Sequence, residues 1–327
     1  MLSACGMSSL TPESSSGGEQ PPRPRRGVVR ASLAALRPHQ WSKNALLLLP
    51  MVLAPNLPSE RALVQGLLAL LAFSLSASAG YVLNDVLDIK ADRAHPTKRH
   101  RPFASGELPL ALGPVLVVTL VVISFGLALL LLPFAFAVML GVYFAGTLSY
   151  SFYLKRQLLL DVLVLAGLYT HRILAGGIAV SVHVSSWLLG FSMFFFTSLA
   201  FAKRYVELKA ASDNSKIKNR GYFPTDKEMV TSMGTASGYI AALVFMLYVE
   251  SDAVRVTYLA PAILWLILPI LLYWLGRVWL LAGRGQMQDD PVKFALRDLV
   301  SLVCAVCIVL IALLARFAPS WLLALLA

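Results

Sequence analysis

Charge is scarce in this 327-residue chain. Only 14% of residues are Asp, Glu, Lys or Arg, where a soluble domain carries about 25%. Apolar residues make up 58%, and the mean hydropathy is +0.72. These figures exclude a soluble globular enzyme. Three cysteines, Cys5, Cys304 and Cys307, are too few for a disulfide framework. The last two lie in an apolar run with no His or acid beside them, which argues against a cysteine-based metal site. Acids are also few, 17 against 28 basic residues, for a net charge of +11. The basic residues occupy short loops between apolar runs, so anionic headgroups and phosphorylated substrates are the expected counterparts, and nucleic acid is not. Residues 1–27 hold Ser, Gly, Pro and Arg but no apolar core of a signal peptide. A disordered tail over about 1–30 is expected, followed by one membrane domain over 31–327 whose first helix directs insertion.

Nine apolar runs follow, at about 44–53, 62–83, 108–132, 134–153, 158–180, 185–202, 233–249, 256–281 and 299–314. Lipid permits only helices or closed barrels, and these runs are too long for strands. The expected fold is an all-α integral membrane protein of about nine transmembrane helices around a central cavity. The first run is short and interrupted by Pro50, so it needs the preceding 37–43 stretch to span. With the N-terminus cytoplasmic, 24 of the 28 Lys and Arg residues fall on the cytoplasmic side. Arg61, Arg255 and Arg316 fall on the other, and Arg172 lies inside a run. That asymmetry is a strong positive-inside signature.

The second run carries small residues at 74–80 and leads into Asn84, Asp85, Asp88 and Asp92. On a continuous helix the three aspartates stand at i, i+3 and i+7 and share one face. Such hard oxygen ligands suit Mg²⁺, which takes its remaining oxygens from water and substrate phosphates. Arg93, His95, Lys98, Arg99, His100 and Arg101 follow at once. Acids for a metal beside bases for phosphate oxygens is the plan of a Mg²⁺–diphosphate site.

The order Asn84-Asp85-x-x-Asp88-x-x-x-Asp92, then His95-Pro96-x-Lys98-x-x-Arg101-Pro102 and Gly106, resembles the first aspartate-rich signature of the UbiA superfamily of intramembrane prenyltransferases. The resemblance implies nine helices around a cavity with Mg²⁺ at its cytoplasmic mouth. Lys155 matches the basic residue of that family's tyrosine/lysine motif, although Ser151 stands where Tyr is usual and Tyr150 is one place off. Blocks around Arg37–Asn44, Asp85–Pro102, Arg172–Gly177, Lys203–Leu208 and Ala295–Asp298 resemble the decaprenyl-phosphate phosphoribosyltransferase branch. The family's second Asp-x-x-x-Asp is missing after the sixth run, where Lys203, Arg204, Glu207 and a basic loop to Arg220 stand instead. This departure disfavours two metal clusters and favours extra phosphate groups.

The resemblance implies transfer of a 5-phosphoribosyl group from phosphoribosyl diphosphate to a polyprenyl phosphate, with Mg²⁺ as cofactor and diphosphate released. Asp85, Asp88, Arg101 and Lys155 are the expected catalytic residues, and Asp85, Asp88 and Asp92 the expected metal ligands. Lys43, Asn84, Lys98, Arg101, Lys155, Arg172, Lys203, Arg204, Tyr205, Glu207 and Arg220 are expected to bind substrate. Asp161 and Arg172, eleven residues apart on one face of the fifth run, are a candidate intramembrane pair, and Arg172 is expected to grip a phosphate. His171 is expected to pack and His183 to lie in an outer loop. A homo-oligomer is compatible with the sequence. Prenyl transfer to an aromatic or other acceptor is the alternative. A transporter is disfavoured because no inverted repeat is evident.

Overall fold

A computed structural model of the chain describes residues 27–54, 58–94, 97–210, 221–287 and 290–318. Helix α1 (Val28–Leu36) ends at Arg37, whose backbone is left-handed at φ 53° and ψ 58°. Pro38 then opens a 3₁₀ segment, Pro38–Leu48, which tightens into the short α2 (Leu49–Leu53). At about 2.0 and 1.5 Å per residue, the 38–53 stretch reaches about 30 Å, the thickness of a hydrocarbon core. The first apolar run is therefore a segmented element and not a regular helix.

Among the described residues, eight helices are long and apolar enough to cross a membrane, and there are no strands. They are α3 (Glu60–Leu87), α5 (Leu112–Leu131), α6 (Phe134–Phe152), α7 (Leu160–Ala179), α8 (Ser186–Ala210), α9 (Lys227–Val249), α11 (Ile267–Arg284) and α13 (Leu299–Arg316). Short helices α4 (Ile89–Arg93), α10 (Asp252–Thr257) and α12 (Pro291–Ala295) lie between them. Pro133 ends one helix and starts the next, as expected of a residue that lacks an N–H.

Helix α3 touches α5, α6 and α7; α7 packs on α8, α8 on α9 and α11, and α11 on α13. Half of the most apolar stretch of α3 and of α7 is buried, against 17% for α5 and α13. The first two are interior, and the last two face lipid with Leu and Val. Helix α3 earns its interior place with Gly66, Ala69, Ala72, Ser76, Ala77 and Gly80, which let neighbouring backbones approach closely. The 3₁₀ segment lies in the groove between α3 and α7. Trp41 Nε1 donates to Ser78 Oγ and Asn44 Nδ2 to Ser74 Oγ, each at 3.0 Å, one turn apart on α3. On the other side, a Cβ at Gly176 would stand 2.0 Å from the Leu47 carbonyl oxygen, so only glycine fits.

An apolar cavity of about 390 Å³ lies between α2, α8, α9, α11 and α13, with Trp187, Phe191, Phe245, Ile267 and Ala312 in its wall. It sits toward the start of α8. The charged residues described next gather around the end of that helix, roughly 20 Å away at 1.5 Å per residue.

Candidate active site at one end of the bundle

Two charge clusters form where α3, α6, α8 and α11 end. The first is built on Asp85, in the last turn of α3 and only 1% exposed. The left-handed turn at Arg37, a conformation that costs about 1–3 kcal/mol for a residue with a Cβ, swings its guanidinium onto Asp85. Arg101 Nη1 joins from the other side, 3.1 Å from Asp85 Oδ1 and 2.7 Å from Asp92 Oδ2. Helix α3 stops at Asp88 (φ −91°, ψ 12°) and the chain restarts as α4. The three aspartates therefore do not share one continuous helical face. Asp92 returns to Asp85 through Arg101, while Asp88 is half exposed with Lys155 Nζ 3.8 Å away. Asn84 Nδ2 donates to Ser151 Oγ at 3.0 Å.

Among the described residues no three His, Cys, Asp or Glu side chains converge as a ready-made metal site. The donor set nevertheless fits a hard divalent cation. Asp85 Oδ2 is buried with no hydrogen-bond partner, an orphaned acceptor of the kind a hard divalent cation takes. Asp85, Asp88 and Asp92, with Asn84 beside them, are the residues that would hold Mg²⁺.

The second cluster comes from three distant parts of the chain. Lys43 Nζ lies 3.0 Å and Lys203 Nζ 3.3 Å from Asp290 Oδ2. Asp290 Oδ1 accepts from Val292 N and caps α12. Burial pushes the Asp290 carboxyl up, but the Lys203 and Lys43 ammonium groups outweigh it and hold it well below the usual carboxylate range. The two clusters lie at the same end of the bundle, since Arg37 and Lys43 are only six residues apart, about 12 Å along the 3₁₀ segment.

Other expected ligands make contacts within the protein. Arg204 is completely buried; its Nε lies 2.7 Å from Asp161 Oδ2, and Nη1 pairs with Glu207. Tyr222 donates to Asp161 Oδ1 at 2.8 Å and accepts from Leu159 N at 3.2 Å. Leu159 sits in a γ-turn with φ 63°, closed by Leu160 N to Leu158 O at 2.7 Å, a strained conformation that Tyr222 helps to hold. This node ties the loop bearing Lys155 to the end of α8.

Arg172 is not Asp161's partner, which corrects the expected pairing. Eleven residues of helix span about 16 Å, too far for one ion pair. Arg172 Nε donates to Asn44 Oδ1 (3.0 Å), Nη1 to Leu168 O (2.6 Å) and Nη2 to Tyr143 Oη (3.1 Å). Its guanidinium lies 4.9, 5.1 and 5.6 Å from the Tyr143, Tyr169 and Phe73 ring centres. This aromatic cage stabilises a buried cation and anchors the segment carrying Lys43. His171 packs near Tyr143 and Phe73, and His183 is an exposed loop residue. Tyr205 meets Trp279 edge-on under Lys227, and Lys98 is exposed on a 3₁₀ turn. His95 and Arg220 lie outside the described residues. Arg37 and Asp290 were not among the expected ligands. Asp290-Pro291 signals a helix start, but its lysines are 87 and 247 residues away.

A multi-pass helical bundle with carboxylates and cations gathered at one end is the plan of a membrane-embedded transferase. The chain belongs to the UbiA prenyltransferase family, whose profile matches residues 45–298. It is similar to an uncharacterized protein, y4nM, of Sinorhizobium fredii, with 41% identity over 277 residues, 84% of this chain and 53% of that protein. The chain thus spans about half the length of y4nM. It is similar to the nodulation protein NoeC of Azorhizobium caulinodans at 35% identity, covering 82% of this chain and 88% of NoeC. The decaprenyl-phosphate phosphoribosyltransferase of Mycobacterium tuberculosis matches at 33% identity over 85% of this chain and 91% of that enzyme. In fold, the chain resembles a UbiA homolog from Archaeoglobus fulgidus bound to DMAPP and Mg²⁺. That likeness has a TM-score of 0.64 and 15% identity over 88% of this chain and 100% of the other.

Proposed function

We propose that the protein transfers a 5-phosphoribosyl group from phosphoribosyl diphosphate to a polyprenyl phosphate, at the cytoplasmic membrane face and with Mg²⁺. The observation that carries this reading is the second cluster. A site for prenyl diphosphate with two metal clusters needs acids on both sides of the mouth. Here one side offers Lys43 and Lys203 around a single carboxylate, a surplus of positive charge for a further phosphate. The likeness to decaprenyl-phosphate phosphoribosyltransferases supports the same choice.

Mg²⁺ held by Asp85, Asp88 and Asp92 would neutralise the diphosphate leaving group. Arg101, Lys98 and Lys155 add charge-assisted hydrogen bonds to its oxygens. The phosphate nucleophile is already anionic, so no general base is needed. Catalysis then rests on positioning and on stabilising charge as the C1–O bond to diphosphate breaks. Arg172 and Arg204 act from behind the mouth, holding Lys43 and the Lys155 loop in place.

Incubating the purified chain with polyprenyl phosphate and ribose-labelled phosphoribosyl diphosphate tests the reaction. Label should move into the lipid only when Mg²⁺ is present. No transfer, with turnover of a prenyl diphosphate on an aromatic acceptor instead, would replace this reading with prenyl transfer.

A further inference from the structure

We infer that Lys43, Lys203 and Asp290 form a second, metal-independent anion site, which seats the phosphate monoester of the lipid acceptor. The inference rests on the proposed reaction for its biological ligand, and on geometry for the site itself. Each ammonium has three N–H groups and gives one to Asp290 Oδ2. Among the described residues neither lysine has a second acceptor, so four donors remain around one partly open point, with Lys43 15% and Lys203 29% exposed. Two ammonium groups against one carboxylate leave net positive charge.

The assignment to a monoester follows from what each cluster can hold. A diphosphate paired with a divalent cation needs one or two carboxylates free to hold the metal, and candidates stand at positions 85, 88 and 92. The second cluster offers one carboxylate, already covered by two lysines, and so suits a dianion that needs no metal. Its position fits an amphiphile. Arg172, which donates to Asn44 next to Lys43, lies 5.1 Å from the Tyr169 ring centre, and Tyr169 stacks on Phe196 at 4.8 Å. From there the aromatic interior continues through Phe195 to Trp274. An isoprenoid chain from a phosphate at the lysines is thus directed along these rings toward the apolar cavity, whose wall includes Phe191, stacked on Phe195 at 5.4 Å. Separate seats also suit the displacement: the monoester oxygen forms the new bond to C1 while diphosphate leaves with the electron pair of the broken C1–O bond toward the first cluster.

Binding to the purified full chain, measured calorimetrically without turnover, tests this with farnesyl phosphate in EDTA and inorganic diphosphate with Mg²⁺. Lys43→Gln and Lys203→Gln should each weaken farnesyl phosphate about tenfold or more and leave Mg²⁺–diphosphate within about threefold. Asp85→Asn should do the reverse. Lys203→Arg should recover most of the loss, and unchanged unfolding temperatures should show that each variant is folded. Weakening of both ligands by both sets of variants would mean one shared site and overturn the inference. So would a loss confined to diphosphate in the lysine variants, or no farnesyl phosphate binding by the wild type. Should the expected pattern hold while no ribose label ever reaches lipid, the anion site stands and only the proposed reaction falls.

Discussion

The two charge clusters at the mouth are made in opposite ways. The first is nearly local: Asn84, Asp85, Asp88, Asp92 and Arg101 come from one stretch of sequence, with Arg37 and Lys155 reaching in. The second has no local core at all, since Lys43, Lys203 and Asp290 meet only because three elements end at the same place. Each cluster balances cations against acids, but the first is rich in carboxylates and the second in ammonium groups. A membrane bundle can thus present two kinds of charge cluster at one end.

The largest expected effect strikes the first cluster. Asp85→Asn removes the buried carboxylate on which Arg37 and Arg101 converge, and turnover should fall about 10²–10³-fold, the scale of losing one preorganised charge-stabilising group. Activity near the wild-type level at saturating Mg²⁺ would show that the clusters are not chemically distinct. Comparable in size is Arg204→Ala, which removes the cation paired with a fully buried Asp161 and should cost about 3–5 kcal/mol of stability by thermal or denaturant unfolding. The double variant Asp161→Asn/Arg204→Gln should regain part of that loss. If Arg204→Ala instead unfolds normally but loses phosphate binding, Arg204 belongs to the mouth after all.

Gly176→Ala sharpens the role of the 3₁₀ segment that brings Lys43 and Arg37 to the mouth. Its methyl would meet the Leu47 backbone, so a destabilisation of about 1–3 kcal/mol is expected, with weakened substrate binding because the segment must shift. Unchanged stability would mean the segment does not depend on that close approach. The smallest effect is on pH. Asp290 is held ionised by its lysines, so its folded pKa lies below the unfolded value of about 3.9. Its contribution is present above that value and is lost as pH falls through the folded pKa. The stability gap between wild type and Asp290→Asn should stay constant from pH 7 to about pH 5 and shrink only in stronger acid. A gap that closes near neutral pH would contradict the lysine–carboxylate anchor.

The sequence disclosed what is short-range or periodic. The long apolar runs mark α3, α5 to α9, α11 and α13, and the Asp85–Arg101 stretch carries its acids and bases within reach of one another. What it could not disclose is tertiary. A pattern of apolar residues at 44–53 does not show that Pro38, Pro50 and the bonds to Ser74 and Ser78 hold a 3₁₀ path in a groove. Helical periodicity put Asp161 and Arg172 on one face but says nothing of the distance along the axis, nor of Arg204 arriving from α8. Arg37 opens one of the blocks that carry the resemblance, but its reach to Asp85 could not be read there, because it depends on a left-handed turn.

The central claim is that ribose, and not a prenyl group, crosses the gap between the two clusters. Phosphoribosyl diphosphate labelled separately in its 5-phosphate and in its diphosphate tests this most directly, with polyprenyl phosphate, Mg²⁺ and the purified chain. The account predicts that the 5-phosphate label enters the lipid while an equal amount of diphosphate label is released into water. Diphosphate label in the lipid, or both labels left in water under conditions where the protein consumes a prenyl diphosphate, would contradict it.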